Sequence, residues 1–136
     1  MNPKIQNVLG LIAGIIIGGA INMGIIMLSG SIIPLPEGVD PTNMESLQQN
    51  LHLFTPKHFI FPFLAHALGS LAGAFIAAKI ASSHKIKFGL GVGAFFLIGG
   101  LANAIMLPAP VWFIVVDLVL AYLPMGWIGA KLVDRK

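Results

Sequence analysis

Asp117 is a carboxylate in a costly place. It lies inside residues 111–132, a run long and apolar enough to cross a bilayer. Ionisable groups at membrane depth usually face a bundle interior or a wet cavity, and they mark function more often than packing. His66 sits in a second apolar run, and Asn22 and Asn103 are the strongly polar side chains within two others. A histidine and a carboxylate can share or relay a proton or hold a small cation. Two amides can orient what passes. The bland alternative is that these four side chains glue helices together, each contributing about 0.5–2 kcal/mol. For the asparagines alone, glue is the simpler reading. Tyr122 reads as a core tyrosine whose hydroxyl finds a partner.

Their spacing places all four in one layer. Four spans are expected, at about residues 7–33, 56–81, 88–107 and 111–132. Measured from the basic ends of these spans, each of the four lies fifteen or sixteen residues in. At 1.5 Å per residue that is roughly 23 Å into a hydrocarbon core of about 30 Å. Small residues share their faces. Gly14, Gly18 and Asn22 recur every four residues in the first span. His66, Gly69 or Ser70, Gly73 and Ala77 share a face of the second. Gly89, Gly93, Phe96, Gly100 and Asn103 lie close to one face of the third. Gly14, Gly18, Gly73 and Gly100 are therefore expected to let helices approach closely. Pro124 cannot donate to the carbonyl of Leu120, which predicts a kink or a bound water.

The rest of the chain says what these spans belong to. It has 136 residues, 57% hydrophobic and 10% charged, against about a quarter charged in soluble domains. The fold class is an all-α integral membrane protein: four transmembrane helices, up-down-up-down, in a single domain over residues 1–136. The first run is too long for the core of a cleaved leader and lacks a clear cleavage site, so it reads as a span. Lys4, Lys79, Lys85, Lys87, Lys131, Arg135 and Lys136 gather at one side. Glu37, Asp40 and Glu45 lie in the loop over residues 34–55. The positive-inside rule then places both termini in the cytoplasm, in a plasma or bacterial inner membrane.

In that loop, Asp40-Pro41 reads as a helix start. Met44, Leu47, Leu51 and Phe54 follow at helical spacing. They predict a short amphipathic helix on the membrane surface or across the bundle mouth, acting as an anchored connector, a gate or a docking site. Thr55-Pro56 is a second helix start. The halves also match in order: residues 17–22 with 98–103, and 77–80 with 129–132. This is the pattern of two parallel helical-hairpin repeats, or of coincidence in Gly/Ala/Ile-rich text.

Several chemistries are excluded or disfavoured. There is no cysteine, so thiolate metal sites and thiol catalysis are out. There is no H-E-x-x-H, G-x-S-x-G or P-loop, and no cofactor is expected. Glu45, His52, His58 and His66 could in principle meet around a metal, but histidines in a polar loop are ordinary, and no metal is expected. The cations are few and scattered, so nucleic acid is not an expected partner. The expected partners are lipid, further copies of the chain and, in one alternative, another membrane protein.

Three functions remain. The first is a homo-oligomeric transporter or channel for a proton, small cation or small solute, with Asp117, His66, Asn22 and Asn103 as binding or relay groups. The second is an accessory subunit of a larger membrane complex, docked through the loop. The third is a lipid-modifying enzyme using Asp117 and His66 as an acid–base pair.

Overall fold

A computed structural model describes residues 1–135; Lys136 lies outside them. The chain is helical throughout its ordered elements: α1 (Pro3–Ile32), α2 (Met44–Asn50), α3 (Ile60–Ile80), α4 (Lys85–Met106), α5 (Val111–Leu120) and α6 (Leu123–Val133). Short 3-10 turns, Leu51–Leu53 and Pro56–Phe59, join α2 to α3. Four segments are long and apolar enough to cross a membrane: Pro3–Ile32, Pro56–Ile80, Lys85–Met106 and Val111–Val133. The protein is a four-helix membrane bundle whose fourth span is built from two helices.

α3 is the central helix, packing against α1, α4 and α6, whereas α1 and α4 meet sparsely. Glycine makes the close contacts. A Cβ on Gly18 would lie 2.6 Å from the carbonyl oxygen of Gly69, and one on Gly69 would lie 2.8 Å from that of Gly18. Gly14 and Gly73 face each other in the same way one turn nearer the basic end. On the other side, a Cβ on Gly126 would lie 2.8 Å from the Gly89 carbonyl oxygen. In lipid, helices gain little from excluding water, so such backbone approach and its dispersion contacts hold the bundle. Val92, Ala74 and Ala77 fill the junction of α1, α3 and α4.

The basic end is tied by polar side chains. The Asn7 carboxamide oxygen accepts from the Ser82 amide at 2.8 Å, and Gln6 donates to the Ile80 carbonyl at 2.7 Å. Lys85 donates to the carbonyls of Ala78 and Ala81 at 2.7 and 2.6 Å. A cation there complements the negative end of α3 as well as satisfying its free carbonyls.

One expectation needs correction. The surface helix starts at Asn43, not at Asp40. Asn43 accepts from the Ser46 amide at 3.0 Å, whereas Asp40 spends one carboxylate oxygen on the amide and hydroxyl of Thr42, at 2.9 and 2.7 Å. That Asx turn takes the chain round once more before helix can begin. The helix that carries the first span begins at Pro3, where Asn2 caps it through the Lys4 amide at 2.8 Å. Thr55 does start the third helical region. It forms a capping box with His58 over the 3-10 turn.

The matched glycines of the two halves do not occupy equivalent places. Gly18 is at the α1–α3 contact and Gly19 is open, whereas their counterparts are reversed: Gly99 is open and Gly100 is packed against Tyr122.

Candidate functional site

The fourth span breaks beside Asp117. α5 stops at Leu120, the chain turns through Ala121 and Tyr122, and Pro124 enters the first turn of α6. Proline has no N–H for Leu120 and its ring crowds the preceding turn, so continuous helix fails there. α4 makes room for the break with Gly93, where a Cβ would lie 2.7 Å from the Tyr122 carbonyl oxygen.

The break turns Tyr122 back toward Asp117. Its hydroxyl donates to Asp117 Oδ2 at 3.0 Å, and His66 Nδ1 lies 2.7 Å from Asp117 Oδ1. The His66 and Tyr122 rings stack with centroids 5.6 Å apart. Asp117 is 5% exposed and Tyr122 2%. With Asp117 ionised, both carboxylate oxygens act as acceptors and Nδ1 is the protonated nitrogen of His66. Nε2 has no partner among the described residues, and the ring lines two cavities. Adding a proton at Nε2 would change the pair from one net negative charge to none.

The loop-side cavity has a volume of about 290 Å³. Asp117 and His66 lie at its floor. Its walls are mostly apolar, and Met44, Leu47, Leu51 and Phe54 all line it from the loop end. Leu51 packs with Phe59 and Phe113 beneath it, and Gln48 ties α2 to the end of α4 through the Met106 carbonyl at 3.1 Å. The surface helix therefore lies across the bundle mouth. A second, mid-span chamber of about 350 Å³ lies between α1, α3 and α4. Asn22, His66, Gly100 and Asn103 line both spaces. These four residues form the partition between them.

The sequence-predicted residues divide accordingly. His66 and Asp117 are bonded. Asn22 and Asn103 share their cavities but bond neither partner. Gly14, Gly18, Gly73 and Gly100 stand at close contacts, and Pro124 is at the break. Tyr122, expected as an ordinary core tyrosine, is the third member of the network. Ser70 is a further polar group in the chamber wall, 1% exposed and without a partner for its hydroxyl.

The histidines do not converge on a metal. His52 is exposed. His58 is buried, with Nδ1 accepting from the Thr55 amide at 2.8 Å and Nε2 donating to the Pro34 carbonyl at 3.2 Å. Among the described residues, no three histidine or carboxylate groups are placed to hold an ion.

Comparison of the chain with family models, with curated proteins and with solved structures finds no match.

Proposed function

We propose that the protein is a small membrane transporter in which the His66–Asp117 pair takes up and releases a proton as a solute crosses the polar layer. The observation that carries this is the position of the pair: Asp117 buried and His66 half-buried at the floor of a cavity, beside a break in the transmembrane span of Asp117. Broken helices near mid-membrane are where transporters commonly build substrate and ion sites. A buried pair that changes net charge on taking one proton favours different surroundings in its two states. The break at Ala121–Tyr122 gives the span a point at which to bend.

In this reading Asn22 and Asn103 orient the solute at the partition. Met44, Leu47, Leu51 and Phe54 gate the loop-side cavity, which faces outward with the basic end in the cytoplasm. The glycine contacts of α1 with α3 and of α4 with α6 close the cytoplasmic side in the present state. Self-association, most simply as a dimer, belongs to the same proposal. Gly19, Gly24 and Gly30 leave open ground on α1 for another helix.

The test is proton uptake by liposomes that hold the purified protein and carry dodecanol as the solute, driven by an inside-negative potassium diffusion potential. Wild type acidifies the lumen, while Asp117→Asn falls to the rate of empty liposomes. Equal rates for the two proteins would end this reading.

One observation favours a lipid-modifying enzyme instead: a histidine oriented by a carboxylate, with its other nitrogen free, is general-base geometry. No activated nucleophile accompanies it, because the nearby Ser70 hydroxyl bonds nothing. Transport is therefore the better supported of the two.

A further inference from the structure

The mid-span chamber contains polar groups that the dyad does not use. Ser70 is 1% exposed, and its Oγ has no partner. A serine within a helix commonly returns its hydroxyl to the carbonyl one turn back. Leaving a buried hydroxyl unsatisfied is costly, and more so where no water competes to satisfy it. Asn22 and Asn103 line the same chamber, and neither amide bonds another described residue. Three neutral polar side chains, one each from α1, α3 and α4, thus border one space with hydrogen bonds unmade.

That space opens sideways. Gly99 and Ala102 are on its rim and both are exposed, and a Cβ on Gly99 would meet nothing within 4 Å. They lie roughly 21 and 26 Å along α4 from Lys85, well within a membrane-crossing length. The sparse contact between α1 and α4 leaves this side of the bundle unfilled. A molecule entering here comes from hydrocarbon, which favours an amphiphile over a free ion. A neutral head suits amides and a hydroxyl, and the Asp117 carboxylate does not line this chamber.

We propose that this window admits a lipid-phase amphiphile whose neutral hydroxyl or carbonyl head docks on Ser70, Asn22 and Asn103. Its tail remains between α1 and α4. This names the solute of the transport reading. It rests on that reading for the translocation step, not for binding itself.

The test uses a dodecylphenol carrying a diazirine, with the full chain in phosphatidylcholine nanodiscs. Photolabelling concentrates on the peptides that hold Asn22 and residues 99–103. Ser70→Ala lowers this labelling at least about fivefold, the loss of roughly one hydrogen bond, while its melting temperature stays at or above that of wild type. Ala102→Trp, which plugs the window from its exposed rim, removes the labelling without disturbing the glycine contacts. Labelling spread evenly over the lipid-facing surface, or unchanged in both variants, would overturn the proposal. So would a disulfide between two copies of Ala102→Cys formed at full yield, since a second chain would then fill the window. Labelling needs no gradient. Localised labelling without proton flux would therefore support this site and sink the transport reading, and flux without localised labelling would do the reverse.

Discussion

Tyr122 reaches Asp117 through space that Gly100 leaves empty. A Cβ on Gly100 would lie 2.6 Å from both the ring carbon Cζ and the hydroxyl of Tyr122. The hydroxyl in turn donates to Asp117 Oδ2. The third span thereby sets the position of a group in the fourth, and through it the environment of the carboxylate.

Gly100→Ala is expected to displace the Tyr122 ring, since the nearest atoms are those of the ring itself. Overpacking of this kind costs about 1–3 kcal/mol. Gly99→Ala is the matched control: nothing stands near its Cβ, and alanine is the better helix former by about 1 kcal/mol. Thermal unfolding in detergent should rank Gly99→Ala at or above wild type and Gly100→Ala below it. The reverse order would show that Tyr122 is not held against α4.

Pro124→Ala restores an N–H that can donate to the Leu120 carbonyl. Continuous helix becomes available across residues 121–122, which the proline ring and missing N–H deny it. Straightening would carry Tyr122 off Asp117. The variant should therefore be slower in proton flux. Hydrogen exchange at the new amide reports whether the bond forms. Unchanged flux with a protected amide would show that the break has no part in transport.

The loop makes a pH prediction. The amide and hydroxyl of Thr42 hold the Asp40 carboxyl below its ordinary value. A depressed folded-state pKa contributes order above the unfolded value, and that order is lost as pH falls through the folded value. The turn at residues 40–42 should therefore persist through mild acid and loosen only below the usual aspartate range. In an NMR titration, Thr42→Val should shift the Asp40 midpoint upward. A midpoint that does not move would show that Thr42 does not hold this carboxylate.

The sequence was legible where periodicity carried the information. Counting residues from the basic ends put Asn22, His66, Asn103 and Asp117 in one layer, and all four line the loop-side cavity. The glycine faces were legible because contact in lipid depends on small residues at helical spacing. Tyr122 was legible as a core tyrosine whose hydroxyl finds a partner, but which partner was not, for a geometric reason. In unbroken helix, residues 117 and 122 point roughly 140° apart. Only the break joins them, and Pro124, read as a kink or a bound water, was its one signal. Ser70 shared a face with His66, but whether its hydroxyl finds a partner depends on three helices at once. Asp40 and Asn43 are both good caps, and the competing Asx turn with Thr42 decided between them.

Transport as proposed requires the His66–Asp117 pair to exchange a proton with water through the loop-side cavity. Solid-state NMR of ¹⁵N-histidine in the full chain in bilayers reads this directly, with His66 assigned by its absence in His66→Gln. In water-edited spectra at one fixed pH, the Nε2 signal of His66 should build up from water protons. No build-up at Nε2, where the signals of exposed His52 do build up, would contradict proton exchange at the pair.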